Sequence, residues 1–291
     1  MRIIQNLDEM TETARGWLAG GTVGFVPTMG HLHAGHLSLV KAVQRECEIS
    51  VVSILVNPLQ FHPRQDHAMY PRDLSGDLQL LDNEHVDIVF VPRSEDIYPP
   101  HFSTYVTPNG QITQWLKKTN GLQYARGITT LTAKLFQLVR PDMVYYSLKN
   151  ALHVALVHQE IRDLNFDISL RTLPIVRDND GLAISNRLPS LSVAERQALS
   201  LLYQALLAAQ SMIEKGERDV AVIEKAMADV AARSPLLKLD YAIVCDPETF
   251  ERPGDTLTTP LPDTLIQVAG YVGNIYLVDN FLRMSDGYWL M

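Results

Sequence analysis

The chain has 291 residues, of which 46% are hydrophobic and 20% charged, and 33 acidic residues outnumber 25 Lys and Arg to give a formal net charge of −8. This composition is typical of a globular protein and excludes disordered and collagen-like classes, because the 16 glycines and 16 prolines show no period. The negative charge argues against broad binding to nucleic acid or to a membrane surface, but a local site for a small anion is compatible with it.

In chain order, short apolar runs alternate with helical patterns over the first two thirds of the sequence. Runs rich in β-branched residues predict strands at Thr22–Val26, Ile49–Val56, Val86–Val91 and Asp142–Tyr146. Apolar residues at three- and four-residue spacing predict helices at His36–Glu48, Asp73–Asn83 and Thr129–Val139. This alternation predicts an α/β fold with right-handed βαβ crossovers and a parallel sheet, whose ligand site lies beyond the carboxyl ends of the strands.

The pattern changes after about Pro174. The turn-rich stretch Arg177–Gly181 precedes a long helical stretch, Ser192–Ala232, with a break near Gly216. Strand-like runs follow at Leu237–Val244, Leu265–Val272 and Asn274–Val278. We therefore divide the chain into a first domain of residues 1–175 and a smaller α+β domain of residues 176–291.

The two cysteines indicate a reducing compartment, and the hydropathy pattern indicates a soluble protein. Cys47 and Cys245 lie far apart, each beside an apolar run, so we expect buried free thiols. No apolar stretch approaches the ~18 residues that span a bilayer, and the N-terminal segment lacks the apolar block of a signal peptide. The expectation is a soluble cytoplasmic protein.

The segment PTMGHLHAGH directly follows the first predicted strand and leads into the first helix. His33 and His36 are three residues apart and would share one face of that helix. Gly30 and Gly35 allow close backbone approach, and the helix N-terminus offers N–H groups to an anion. These groups suit a polyphosphate and a leaving pyrophosphate. A transition-metal site at His31, His33 and His36 is the alternative, although no carboxylate or thiol lies nearby in sequence to complete it.

Six ordered blocks resemble the pantothenate synthetases, which join pantoate to β-alanine. They are PTMGHLHAGHLSLV, SILVNPLQF, YPRDLSGDLQLL, TAKLFQLVRPD, IRDLNF and DGLAISNR. That family belongs to the nucleotidyltransferases with a His-x-Gly-His signature, here residues 33–36. The resemblance implies a Rossmann-like nucleotidyltransferase domain followed by a smaller C-terminal α+β lid domain. It also implies two steps: ATP adenylates the acid and releases pyrophosphate, and the amine then attacks the acyl-adenylate and releases AMP.

The resemblance also implies roles for individual residues. His33, His36 and Lys149 would be catalytic, with His36 at the position usually named so. The nucleotide would contact Met29, Gly30, His33, Gly35, His36, Ser147, Lys149, Asn150, Val176, Ile184, Ser185, Asn186 and Arg187. The acid would contact Pro27, Thr28, Met29, Asn57, Gln60 and His153. An ordinary turn with a hydrophobic plug is the alternative for Asn57–Phe61. Asp77 fits an acidic position of the family, or a solvated helix face. Mg²⁺ is implied by the polyphosphate chemistry without a ligand motif, and a homodimer by the family.

Several family positions are altered, mainly on the acid- and amine-facing wall. Ser147, Leu148 and Asn150 replace a Gly-Gln-Lys-Asp pattern around Lys149, and Leu152 and His153 replace a glutamine pair. Gly121–Ala125 replaces Arg-Pro-Gly-His-Phe, which leaves open whether Tyr124 substitutes for a lost residue. Asn186 and Leu188 replace a serine and an asparagine.

Three alternatives to an unchanged pantothenate synthetase therefore stay open. The first is a ligase for another acid or amine, because a rewritten polar wall changes specificity sharply. The second is an adenylyltransferase that does not ligate. The third is a nucleotide-binding regulatory protein that has lost turnover, against which the retention of His33, His36 and Lys149 argues.

Overall fold

The computed structural model describes residues 1–17, 20–61, 70–118, 121–185, 188 and 191–291. Its contacts divide the chain into two units, Met1–Tyr146 with Leu152–Leu173, and Ser147–Ala151 with Pro174–Met291. The segment around Lys149 thus belongs with the second unit, although the residues on both sides of it belong to the first. The division at residue 175 stays a prediction about folding domains.

A six-stranded sheet forms the centre of the first unit. Its strands are β1 (Arg2–Ile4), β2 (Val23–Thr28), β3 (Ile49–Ile54), β4 (Ile88–Phe90), β5 (Met143–Ser147) and β6 (Ser169–Leu173). They are arranged in the order β1-β4-β3-β2-β5-β6, with β2 parallel to both β3 and β5. The chain runs outward from β2 through β3 and β4, and later returns to the other side of β2 at β5. The strand order therefore reverses between β2 and β5, where sheets of this kind bind ligands beyond the carboxyl ends of the strands.

Helices pack on the sheet because successive side chains of each strand point to opposite faces. Phe25 and Val51 belong to one buried cluster with residues from α1 and α6. Val26 and Val52 belong to a second cluster with residues from α2 and α3. The helices of this unit are α1 (Leu7–Gly16), α2 (Ala34–Glu46), α3 (Leu74–Asn83), α4 (Ser94–Ile97), α5 (Ile112–Lys118), α6 (Leu122–Val139) and α7 (Ala151–Asp163). Two cores thus sandwich one sheet, as the near-continuous apolar strands predict.

The second unit is built on a four-stranded antiparallel sheet. Its strands are β7 (Lys238–Cys245), β8 (Thr264–Val272), β9 (Ile275–Arg283) and β10 (Trp289–Leu290), in the order β10-β9-β8-β7. Helices α8 (Val193–Glu214) and α9 (Val220–Ala231) share a buried cluster with these strands. Ser192 and Glu195 form a reciprocal capping box that starts α8. The predicted α+β composition of the C-terminal part is confirmed.

The four strands and three helices predicted in the first part of the chain are confirmed, although α6 begins seven residues earlier than expected, at Leu122 instead of Thr129. The predicted helical break near Gly216 is also confirmed, since α8 ends at Glu214 and α9 begins at Val220. Among the described residues, no helix has both the length and the apolar character needed to span a bilayer.

Both cysteines are free thiols. Cys245 is buried, as predicted. Cys47 is only partly buried, so that part of the prediction is wrong. The reason is its position at the C-cap of α2, next to the exposed Glu48, where the helix leaves the core.

Candidate active site

A buried carboxylate holds the loop between β2 and α2. Asp77, in the first turn of α3, accepts hydrogen bonds from the backbone N–H groups of His31 at 2.8 Å and Leu32 at 2.7 Å. Gly30 has a φ of 79°, and a Cβ there would lie 2.9 Å from Asp77 Oδ2, which is too close for any other residue. Asp77 is 3% exposed. Its interpretation as a solvated helix face is therefore wrong, because both oxygens face the loop and bind it.

The two signature histidines form the N-terminal cap of α2. The N-cap residue His33 accepts, at Nδ1, the backbone N–H of Gly35 at 3.1 Å. The backbone N–H of His33 donates to Nδ1 of His36 at 3.2 Å. The ring centroids lie 4.1 Å apart. A Cβ on Gly35 would lie 2.9 Å from Cε1 of His33, so glycine is what lets the ring fold over this turn. The predicted adjacency of the two imidazoles is confirmed.

These bonds determine where each ring carries its proton. An Nδ1 atom that accepts a backbone N–H cannot itself carry hydrogen, so the proton of each neutral ring lies on Nε2. Both His33 and His36 are therefore held as Nε2–H donors. The expectation that the helix N-terminal amides are open to an anion is wrong for Gly35, because His33 already accepts its N–H. The two imidazoles lie at the same helix start.

The other predicted residues of this segment lie at the end of β2 and in the loop after it. Pro27 and Thr28 are the last two residues of β2, and Thr28 Oγ1 donates to the carbonyl of Ser53 at 2.8 Å. Met29 and Gly30 line a cleft of about 230 Å³ at the carboxyl ends of β2, β3 and β4. This cleft lies at the edge of the sheet where a ligand site was expected.

The turn after β3 is anchored by Asn57. Its side chain is fully buried and accepts from Leu59 N at 3.2 Å and from the Tyr98 hydroxyl at 2.9 Å, and donates to the Gly127 carbonyl at 2.9 Å. The polar atoms of this side chain are thereby engaged within the protein, so Asn57 shapes the turn. Gln60 ends the one-turn 3-10 helix Pro58–Gln60 and is half-buried. Its contact with an acid stays a prediction.

Tyr124 and His153 are brought together, although the sequence showed them only as two separate departures from the family. The Tyr124 hydroxyl lies 2.6 Å from His153 Nε2, and the ring centroids are 5.5 Å apart. Tyr124 lies in the first turn of α6 and His153 in the first turn of α7. Loss of solvation lowers the pKa of His153 from 6.5 to about 4. A neutral imidazole and a phenol therefore share this hydrogen bond at physiological pH.

The second unit contains the remaining predicted nucleotide contacts. Ser147 caps the one-turn 3-10 helix Leu148–Asn150 by accepting Lys149 N at 3.3 Å. Lys149 Nζ donates to the carbonyl of Ile184, and Ile184 N donates to the carbonyl of Val176 at 3.0 Å. Lys149, Ile184 and Val176 are thus neighbours, with Ser185 next in the chain. Asn150 is exposed. Asn186 and Arg187 lie outside the described residues.

A buried ion pair supports the loop that carries Val176 and Ile184. Arg177 donates to both carboxylate oxygens of Asp279, at 2.7 and 2.8 Å, and to the Gly181 carbonyl at 2.9 Å. Its guanidinium lies 4.7 Å from the ring centroid of Tyr203. Burial raises the pKa of Asp279, and Arg177 opposes this shift. Sequence reasoning missed the pair, because the two residues are 102 positions apart.

Comparison with known proteins settles the family. The sequence model described as Pantoate-beta-alanine ligase matches residues 2–282. The chain belongs to the pantoate–β-alanine ligase family. A pantothenate synthetase from Thermosipho melanesiensis is 42% identical over 283 residues, which cover 97% of this chain and 99% of that relative.

Two solved structures of the family extend the comparison. The pantothenate synthetase of Thermus thermophilus matches with a TM-score of 0.87 and 36% identity, over 96% of this chain and 98% of that chain. The pantoate–β-alanine ligase of Francisella tularensis, complexed with Beta-gamma ATP and β-alanine, matches with a TM-score of 0.75 and 27% identity, over 97% of both chains. The predicted nucleotidyltransferase-like α/β fold is confirmed, and as a member of this family the chain is an ATP-dependent ligase.

Proposed function

We propose that this ligase makes pantothenate from pantoate, β-alanine and ATP. The observation that carries the proposal is the mutual capping of His33 and His36, which holds two Nε2–H donors at the strand-order reversal of the sheet. The relatives named pantothenate synthetase support the choice of substrates, and the Francisella complex supports ATP and β-alanine.

The first step is an in-line displacement at phosphorus. A pantoate carboxylate oxygen attacks the α-phosphorus of ATP, and the bond to the bridging oxygen breaks, so pyrophosphate leaves with the electron pair. We assign the Nε2–H groups of His33 and His36 to the phosphate oxygens, where oriented donors stabilise the charge that develops on the leaving group. Neither ring needs to exchange a proton for this role. Gly30, Gly35 and Met29 would surround the same nucleotide.

In the second step the uncharged amine of β-alanine attacks the acyl carbon of pantoyl-adenylate. The C–O bond to AMP breaks, AMP leaves as the anion, and the new amide nitrogen loses a proton. The protein's contribution is mainly to position the reactants. Pro27, Thr28 and Gln60 lie at or after the carboxyl ends of β2 and β3, and we assign them to the acid.

We assign Lys149 to the phosphates of ATP as a point charge, with its ammonium exchanging the carbonyl of Ile184 for a phosphate oxygen. The backbone of Val176 would contact adenine, and Ser147 and Asn150 the ribose. Ile184, Ser185, Asn186 and Arg187 would contact the phosphates, the last two on the basis of the family resemblance.

Mg²⁺ would enter the reaction as part of the substrate MgATP. Asp77 does not fit as its ligand, because it uses both oxygens on the backbone of His31 and Leu32. Asp73 uses one oxygen, Oδ1, which accepts Gly76 N at 3.0 Å and the Ser75 hydroxyl at 2.9 Å. The metal would be held by phosphate oxygens and water, and would lower the charge of the phosphates.

A second candidate function is the same ligase chemistry with another acid or amine. The Tyr124–His153 pair favours it, because both residues stand where the family has other polar residues. A polar wall with different donors penalises the substrate that leaves them unpaired.

One experiment separates these functions. Pyrophosphate release is measured with MgATP across a panel of short hydroxy acids, with and without β-alanine and other amines. The proposal predicts the highest kcat/KM with pantoate and β-alanine, and an amide product. A higher value for another pair would establish the second candidate. A stable adenylate that accumulates even with amines present would show an adenylyltransferase.

We also propose that the ligase is a cytoplasmic homodimer, as the family resemblance implies. Sedimentation should then give a particle of twice the 32.7 kDa chain mass. Fractionation of the cells that produce the protein should recover it with the cytoplasmic enzymes. A monomer at micromolar concentration would contradict the assembly.

A further inference from the structure

The turn that carries Lys149 is fixed by strand β9 of the second unit. Asn280, on that strand, donates through Nδ2 to the carbonyl of Leu148 at 3.1 Å and to the carbonyl of Lys149 at 3.2 Å. The Asn280 side chain is fully buried. The 3-10 helix Leu148–Asn150 is only three residues long and supplies few backbone bonds of its own. One carboxamide NH₂ group therefore donates to two carbonyls of this short turn.

A ladder of polar side chains orients that carboxamide. Asn280 Oδ1 accepts from Gln267 Nε2, its direct cross-strand partner on β8. Gln267 Oε1 in turn accepts the hydroxyl of Tyr241 on β7 at 2.8 Å. Since each amide has one donor end and one acceptor end, the bond from Tyr241 directs the Gln267 amide toward Asn280. The NH₂ group of Asn280 is then left facing the Lys149 turn.

The far end of Lys149 is held in the same unit. Its ammonium donates to the carbonyl of Ile184, on the loop that Arg177 and Asp279 support. Asp279 and Asn280 are consecutive on β9, so one strand anchors both the backbone of the lysine and the loop that receives its ammonium. This arrangement restricts a side chain that otherwise has many rotamers.

We propose that Asn280 is a positioning residue for Lys149: it fixes the backbone from which the lysine reaches the phosphates of ATP. The inference rests on the proposed role of Lys149 and adds a residue 131 positions away. Displacement of a binding group by about 1 Å can lower a rate a hundredfold. Loss of the Asn280 carboxamide should therefore act on ATP through the lysine.

A double-mutant cycle tests this mechanism. Asn280→Ala, Lys149→Ala and the double variant are compared with the wild type, with kcat/KM for ATP and the Kd of MgATP as the two readouts. Asn280→Ala should lower kcat/KM for ATP by about tenfold to a hundredfold in the wild-type background. In the Lys149→Ala background it should change kcat/KM by less than about twofold, because the group on which it acts is gone. Asn274→Ala, in the exposed turn between β8 and β9, is the control and should leave both readouts unchanged.

The same loss in both backgrounds would show a merely structural role and overturn the proposal. If Asn280→Ala does not fold, Asn280→Asp keeps the shape and removes the NH₂ donor, and the cycle is run with that variant. Wild-type values for Lys149→Ala in both readouts would remove the proposed role of Lys149 and the inference with it. If the wild type binds MgATP but turns over no acid, the proposed function fails, and the cycle in Kd still decides the role of Asn280.

Discussion

The backbone N–H of His33 donates to Nδ1 of His36 at 3.2 Å, while the ring of His33 caps the N–H of Gly35. The pair that we assign to the phosphates of ATP is therefore also the pair that starts helix α2. The cap uses the Nδ1 atoms, and the chemistry uses the Nε2–H groups. Substitutions that treat the two ring nitrogens differently can separate these two roles.

Replacement of His36 separates helix capping from catalysis. His36→Ala should lower kcat by roughly 10²–10³, as removal of one oxyanion donor does, and should also lower the free energy of unfolding by about 1 kcal/mol through loss of a cap. His36→Asn can still accept the His33 N–H and should lose only kcat. Steady-state kinetics and urea unfolding of both variants measure the two effects. An unchanged kcat in either variant would refute the assigned role.

Asp77→Asn tests the clamp on the signature loop. The variant places an NH₂ group against one of two backbone N–H donors, so one donor loses its acceptor. We expect the free energy of unfolding to fall by about 1–3 kcal/mol and the KM for ATP to rise. Asp82→Asn, on the exposed side of the same helix, is the matched control. Equal behaviour of the two variants would contradict the clamp.

Glu160 should make stability depend on pH. Burial raises the pKa of its carboxyl from 4.5 to about 8, against the hydrogen bond from Thr132, which lowers it. Between pH 4.5 and about pH 8, the folded state therefore keeps this proton while the unfolded state has lost it. The stabilisation is fully present below pH 4.5 and declines, by at most about 1.4 kcal/mol per pH unit, until pH passes about 8.

Urea unfolding of Glu160→Gln at pH 6 and pH 9 measures this effect, with the exposed Glu12→Gln as control. The Glu160→Gln variant should lose less stability than the wild type over that interval, because its amide does not titrate. Parallel curves for the two proteins would show that Glu160 is not the group responsible.

His153→Gln tests how the altered wall selects the acid. If the Tyr124–His153 pair was shaped for another acid, the variant should move kcat/KM toward pantoate. The measurement is the ratio of kcat/KM for pantoate to that for the best alternative acid. Tyr124→Phe, which removes only the hydroxyl of the pair, is the companion variant. A fall in activity toward every acid would instead assign His153 a structural role.

The parts of the fold that depend on local pattern could be predicted from the sequence. Strands β2 and β3 are near-continuous apolar runs because both of their faces are buried. β1 is three residues long with one buried residue, and β6 is an edge strand with no buried residue. Neither has enough apolar pattern to be recognised. Helix α1 depends on a cap by Asn6 and a short buried face, and the pattern of apolar residues does not reveal it.

The site could be predicted only in part for the same physical reason. The spacing of His33 and His36 places their rings together, because that distance is set within one helical turn. The contacts of Asp77 with His31 and of Asn280 with Lys149 join residues 46 and 131 positions apart, and depend on how distant elements pack. Asn57 was expected to face a substrate, but the structure uses its polar atoms internally.

The ligase reaction itself is tested by following the products of one reaction in time. The purified chain is mixed with MgATP and pantoate, first without β-alanine and then with it, and pyrophosphate, AMP and the acyl product are quantified by mass spectrometry. About one equivalent of pyrophosphate and of bound pantoyl-adenylate per site should form before β-alanine is added. Sustained formation of pyrophosphate, AMP and pantothenate in equal amounts should follow its addition. Pyrophosphate release without amide formation in the presence of β-alanine would refute the proposed ligase function.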